Sequence, residues 1–247
     1  MSNSKLLPSR WAVPEVFRVR LGDEVGRQRL MESDGHILLV LHAPPELHED
    51  ERVGRFFWRD TDGTWRASIQ GSGVAALSGH IQEFEDRLDA LEERERSAGR
   101  AKDYFEVLRA LTPLHRAARN LHAVLQKARE AMNTDSRIIR WRDDAYGIER
   151  SAELLLGETR HGLDFVTAMR AEEQAEEAEN MAMASHRLNV LAALFFPLAT
   201  IASLLGMNVP TGLEDSPAPW TFLGILMLGA MIGVGVKMAL EPPSKQK

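Results

Sequence analysis

Residues 188 to 205, LNVLAALFFPLATIASLL, contain no ionisable side chain. At the helical rise of about 1.5 Å per residue they extend about 27 Å, close to the ~30 Å hydrocarbon core of a bilayer. The run therefore predicts a membrane-spanning helix, and it stops at Gly206-Met207-Asn208. A second apolar run follows at Trp220 to Met238, interrupted near its end by Lys237, whose long side chain can reach the headgroups. Two spans close together at one end of the chain constrain its fold more than any other feature.

The flanks set a topology. Arg187 precedes the first span, Lys237, Lys245 and Lys247 follow or close the second, and the connecting VPTGLEDSPAP has no Lys or Arg. By the positive-inside rule both termini are cytoplasmic and the connecting loop is external. The first 35 residues are charged throughout and lack the apolar core of a cleavable signal peptide, so the polar portion is expected to stay where it is made. A net charge of -6 disfavours a nucleic-acid partner. With no cysteine, disulfides and thiolate metal sites are excluded.

In the polar portion, VFRVRL, HILLVLH, RFFW and TWRASIQ are short apolar or alternating runs between Gly, Pro and Asp clusters, and read as strands of a small sheet. From Val74 the period becomes helical, with Ile81, Phe84, Leu88 and Leu91, and Ser97-Ala98-Gly99 breaks it. A second helix carries Tyr104, Leu108 and Leu111. Thr112-Pro113 either starts a fresh helix or kinks this one, and Leu114, Ala118, Leu121, Leu125, Ala128 and Met132 resume the stripe. After Asn133-Thr134-Asp135 a third pattern meets no proline until Pro197. Its seam, Ile138, Trp141, Ala145, Ile148, Ala152, Leu155, Thr159, Gly162, Val166 and Met169, alternates spacings of three and four. Packing against the two preceding helices is its expected role. The domain plan is a β-rich segment at 1–73, a helical hairpin at 74–135, a stalk at 136–187, spans at 188–205 and 220–240 joined by an external loop at 206–219, and a cytoplasmic tail at 241–247.

Gly206-Met207-Asn208 at the outer end of the first of two terminal spans, Pro197-Leu198 two to three turns before it, and a long helix feeding that span together resemble the CorA family of divalent-cation transporters, the two-transmembrane GxN family. The resemblance covers roughly residues 136 to 240 and fades over the first 130. It implies a mainly α membrane protein with a small N-terminal α+β cytoplasmic domain, its long stalk helix continuing into the first span, assembled as a funnel-shaped homopentamer among membrane lipid. The location implied is the plasma membrane or the bacterial inner membrane.

The family's selectivity filter falls on Gly206, Met207 and Asn208, with five Asn208 carboxamides contacting the hydrated ion from its outer sphere. Magnesium sheds water reluctantly, so a ring of neutral oxygens that hydrogen-bonds its hydration shell suits it. Mapped through Pro197 and Asn208, the family's pore face becomes Ser185, Leu188, Ala192, Phe196, Ala199 and Ser203, at helical spacings of three and four. Leu188 and Phe196 would be apolar constrictions that close a pore by excluding water. On the second span Gly229 and Gly233 form a small-xxx-small face suited to close helix contact.

The chain departs from the family pattern in places. Val209-Pro210-Thr211-Gly212-Leu213-Glu214-Asp215 replaces the familiar MPEL loop, and Ser185 stands where a bulky apolar gate is common. Glu214 and Asp215 either concentrate cations at the mouth or are solvated loop acids. Glu172, Glu173, Glu176 and Glu177, with Glu179, either form a cation-attracting vestibule or a solvated face paired with basic residues of neighbouring helices. The soluble part is short, and the family's sensor acids cannot be carried onto it. The histidine pairs His115/His122 and His42/His48 lack close ligand spacing, and Gly71-Ser72-Gly73 reads as a turn. No catalytic triad stands out, so the chain is not expected to be an enzyme or to hold a cofactor. The function implied is passage of divalent cations, with magnesium the default. Zinc or another transition metal, a non-transporting scaffold or regulator, and a low-selectivity tension-gated channel stay open.

Overall fold

The structure is a computed structural model and describes residues 6–46, 53–133, 135–206 and 219–240. It is mostly helical, with a small N-terminal antiparallel sheet and one long helix. In chain order the elements are α1 (Glu15–Leu21), β1 (Arg29–Ser33), β2 (His36–His42), β3 (Gly54–Arg59), β4 (Trp65–Ala67), α2 (Gly73–Arg96), α3 (Ala101–Ala131), α4 (Ser136–Gly206) and α5 (Trp220–Leu240). They form two compact units, Met1–Met169 and Arg170–Lys247.

In the first unit the four strands make an antiparallel meander in the order β1-β2-β3-β4. HILLVLH is apolar throughout because β2 is covered on both faces. Ile37, Leu39 and Leu41 face one cluster with Phe57, Trp65 and the helices, whereas Leu38 and Val40 face another with Phe56, Trp58, Trp11 and Phe17. Two sequence expectations fail here. VFRVRL is not a strand but lies in α1, where Phe17 and Leu21, one turn apart, are buried while Val19 is 66% exposed. Pro14 at the N-cap, with no N–H to give, suits the helix start. Conversely, β1 was not anticipated, because RLMES has too few apolar residues to show alternation. Its signal was the Asp34-Gly35 turn: both residues have positive φ, 51° and 76°, as a two-residue hairpin turn requires, and Ser33 pairs with His36 across it. TWRASIQ is strand only over Trp65–Ala67.

Gly71-Ser72-Gly73 turns the chain from β4 into α2. Ser72 caps the helix, its Oγ accepting the Ala75 N–H at 3.3 Å, and a side chain at Gly73 would collide with the Trp65 carbonyl. Helix α2 ends at Ser97, where the periodicity breaks. Helix α3 passes through Pro113 as one element, so of the two alternatives for Thr112-Pro113 the fresh start is excluded; Thr112 Oγ1 donates to the Leu108 carbonyl at 2.7 Å in the same turn. Asp135 accepts the Arg137 N–H at 3.1 Å at the entry to α4 and pairs with the Arg137 guanidinium at 3.0 Å. Burial opposes ionisation of Asp135, but the hydrogen bonds and charge of Arg137, with Arg59, outweigh it and hold the carboxyl below its ordinary range.

The seam of α4 packs into the helical core as far as Thr159: Ile138, Trp141, Ala145, Ile148, Ala152 and Leu155 are buried with Leu111, Leu114, Leu121 and Leu125 of α3. Gly162 lies beneath the Tyr104 ring, Val166 is half-buried and Met169 is exposed.

His80 of α2 is fully buried between Phe57 and Phe84, with ring centroids 5.6 and 5.4 Å away. Its Nδ1 accepts a 3.1 Å hydrogen bond from the Arg55 guanidinium. Burial, reinforced by Arg55 and His42, pushes its pKa down to about 3 from 6.5. The unfolded chain therefore binds a proton that the folded chain refuses, and stability is lost as pH falls from about 6.5 towards about 3. In a denaturant titration of the full chain in micelles, this residue contributes a slope approaching about 1.4 kcal/mol per pH unit within that window. His80→Gln is expected to flatten the acid limb by that amount; an unchanged slope would contradict the assignment.

Candidate ion pathway

In the second unit, α4 carries an 18-residue window apolar enough to cross a membrane, none of it buried. Helix α5 adds a shorter apolar stretch over Trp220–Gly235 among the described residues. Leu188, Leu191, Phe195, Phe196 and Leu204 of α4, and Trp220, Phe222 and Met227 of α5, all stand exposed. Apolar surface on this scale needs lipid or protein against it.

The two helices meet through glycine. A Cβ built on Gly233 would lie 3.1 Å from Leu194 Cα and 3.3 Å from the Ala193 carbonyl oxygen; one on Gly229 would lie 3.2 Å from Leu198 Cδ1 and 3.6 Å from Ile201 Cδ1. That carbonyl is the one Pro197 orphans, since proline has no N–H to return to residue 193. Gly233 thus brings α5 backbone against the weakened turn of α4, where the irregularity is sheltered by protein. Three residues further on, Thr200 Oγ1 donates to the Phe196 carbonyl at 2.8 Å.

Contact with α5 takes up the face of α4 that holds Ala193, Leu194, Leu198 and Ile201. At about 100° per residue, Ser185, Leu188, Ala192, Phe196, Ala199 and Ser203 are centred about 180° away. Five of these six are exposed and Ala192 is half-buried, with Leu188 at 66% and Phe196 at 69%. The structure therefore places all six on one face and leaves that face open. Gly206 is the last residue of α4, with open space where a Cβ would go. Met207, Asn208, Glu214 and Asp215 lie outside the described residues. Glu172, Glu173, Glu176, Glu177 and Glu179 are exposed on α4, and none has an ion-pair partner within 4 Å among the described residues.

The histidines have other occupations. His122 Nδ1 meets Glu149 Oε2 at 2.6 Å beside the Tyr146 ring, and His42 Nε2 bonds the Gly26 carbonyl at 2.9 Å. Among the described residues no three His, Asp or Glu side chains are grouped to hold a metal.

A sequence model of the CorA-like Mg2+ transporter family matches residues 69–239, from the end of the sheet through both apolar helices. The chain belongs to the CorA-like family. The match begins earlier than the visible resemblance, taking in α2 and α3. CorA-like proteins are membrane-resident transporters of divalent cations rather than enzymes. No curated protein matches the chain by sequence. Among solved structures, the ZntB cytoplasmic domain from Vibrio parahaemolyticus aligns with a TM-score of 0.54 at 16% identity, over 65% of this chain and 80% of that one. Full-length CmaX aligns at 0.49 with 16% identity, over 94% of this chain and 83% of that one, and the CorA magnesium transporter from Methanocaldococcus jannaschii at 0.37 with 16% identity, over 92% and 83%. The ZntB domain shares the fold over that part of the chain, and the CorA-like assignment itself rests on the family model.

Of the three atoms nearest a Cβ at Gly233, Leu194 Cα and the Ala193 carbonyl oxygen are backbone, so turning the Leu194 side chain relieves only part of the crowding. Gly233→Ala is expected to cost about 1–3 kcal/mol in detergent-titrated unfolding. Gly224→Ala, where nothing lies within 4 Å, is the control and should be neutral or slightly stabilising. Equal effects at the two positions would show that α5 does not approach α4 at Gly233.

Proposed function

We propose that this CorA-like protein is a homopentameric channel that passes hydrated divalent cations, magnesium by default, across the cell membrane. The observation that carries the proposal is the open face of α4: Ser185, Leu188, Ala192, Phe196, Ala199 and Ser203 lie opposite the α5 contact. One chain with two apolar helices cannot enclose a path, so the open face is filled by symmetry-related copies of itself. Five such faces form the pore, with the five chains arranged as a funnel and α5 on the lipid side. Leu188 and Phe196 form apolar rings that stop conduction when they dewet, while Ala192, Ala199 and Ser203 leave room for a hydrated ion.

Asn208 follows the end of α4 by two residues, so five carboxamides ring the outer mouth. Neutral oxygens hydrogen-bond the hydration shell of magnesium without stripping it, in keeping with that ion's slow dehydration. Both termini are cytoplasmic, and Glu214 and Asp215 on the outer loop raise the local cation concentration. On the inner side, Glu172, Glu173, Glu176 and Glu177 do the same: their exposed charges, multiplied fivefold, attract cations.

Flux into liposomes loaded with a magnesium-sensitive dye tests this function. The wild-type protein is expected to admit magnesium down its gradient, Asn208→Ala to lose selectivity over monovalent ions or to lose flux at least about tenfold, and native mass measurement to give five chains. Zinc flux with no magnesium flux would reassign the ion. No flux of any cation, or flux unchanged in Asn208→Ala, would sink the filter.

A further inference from the structure

Helices α2 and α3 pack into one core but carry opposite charge. Between Glu83 and Glu95, α2 holds seven acids and two arginines; between Val107 and Arg129, α3 holds five Arg or Lys and no acid. Both helices lie wholly among the described residues, and no ion pair joins one to the other. Each buries an apolar stripe, through residues such as Phe84 and Leu88 of α2 and Leu111 and Leu121 of α3, and leaves its charge on the outside.

Glu85, Asp86, Asp89 and Glu93 of α2 are exposed and recur at spacings of three and four, which gathers them on one face. Glu85/Asp89 and Asp89/Glu93 are repelling pairs one turn apart. Gln82 donates to Glu85 at 3.0 Å and to Asp86 at 3.1 Å, but a neutral amide cancels no charge, and Arg96 reaches Glu93 only at 3.6 Å. On α3, Phe105, Arg109, Arg116, Ala123 and Lys127 are exposed and follow one another at intervals of four, seven, seven and four residues, so they too share a face. From Arg109 to Lys127 that face runs about 27 Å with no carboxylate of α3 along it.

We propose that the acidic face of α2 in one copy of the chain docks on the basic face of α3 in the next copy, an inference that rests on the homopentamer proposed above. Charge complementarity names the occupant: every copy brings both faces in equal number, and like faces repel. Because the two faces differ, the contact is heterologous. Each copy engages one neighbour through α2 and another through α3, and contacts of that kind close into a ring when the rotation fits. Exposed ion pairs contribute little one at a time, but copies already gathered by α4 make them at high effective concentration. The stripes therefore set which face meets which neighbour rather than supplying most of the affinity.

Cross-linking between copies tests this contact. Ala90, next to Asp89 on α2, and Ala123 on the basic face of α3 are both exposed, so a cysteine at either removes no charge, and the chain has no other cysteine. Full-length Ala90→Cys and Ala123→Cys chains with different tags are co-expressed and treated in membranes with a short bismaleimide, alongside native mass measurement. The product joining the two kinds of chain is expected to exceed either like-with-like product about fivefold. Arg109→Glu with Lys127→Glu in the Ala123→Cys chain is expected to lower the mixed product about fivefold, and Glu85→Lys with Asp89→Lys in the Ala90→Cys chain to restore it. Five chains by mass with like-with-like links as abundant as mixed ones, or a mixed link indifferent to the charge reversal, would overturn the docking and leave the pentamer standing. A single chain by mass would overturn both.

Discussion

The approach of α5 to α4 at Gly233 is the contact on which the apolar part of the molecule depends. Proline at 197 frees the Ala193 carbonyl, and a free carbonyl in an apolar medium must be sheltered or hydrated. Gly233 shelters it, because a residue without Cβ lets the two backbones approach with no crowding at Leu194 Cα and the Ala193 carbonyl. This single fit selects one side of α4 for α5. Once that side is taken, the residues half a turn away lie opposite the contact with α5. The face proposed to line a pore is thus set by where a glycine meets a proline-weakened turn.

In the first unit the equivalent constraint is the two-sided burial of β2. Leucines 39 and 41 anchor the helices on one face while Leu38 and Val40 anchor α1 and the N-terminal segment on the other. His80 and Gln28 are both polar and both buried. His80 carries the cost as a depressed pKa, and Gln28 as an oxygen with no donor among the described residues. Polar groups of this kind are retained in cores where they are satisfied or where something else satisfies them.

Long-period signals in the sequence survived comparison with the structure better than short ones. The helical stripes of α2, α3 and the first part of α4 run for several turns, and the residues they pick out, such as Phe84, Leu121 and Trp141, are core residues. β2 was legible because two-sided burial demands an uninterrupted apolar run. The failures lie in segments of five to seven residues. In VFRVRL the alternation Phe17, Val19, Leu21 fits a strand, yet the same residues fit one helical turn, and the N-terminal Pro14 together with the pairing of Phe17 and Leu21 decided for the helix. β1 has only Leu30 and Met31 to advertise it, and its Asp-Gly turn carried the information instead. For the proposed ion path, the spacing of Ser185 to Ser203 could be read from the chain, but its position opposite α5 required the three-dimensional contact at Gly233. The distant fold relationship to the ZntB domain lies in the same class, at 16% identity.

The absence of cysteine makes the central claim directly measurable, because every introduced thiol is the only one in the chain. Single cysteines placed in turn from residue 185 to 203 can be exposed to a water-soluble thiol reagent in the membrane-embedded protein. Helical geometry with the outward face toward water predicts labelling at Ser185, Leu188, Ala192, Phe196, Ala199 and Ser203, and protection at Ala193, Leu194, Leu198 and Ile201. Labelling centred on the second set, or none along the whole segment, would contradict a water-filled path on the face opposite α5.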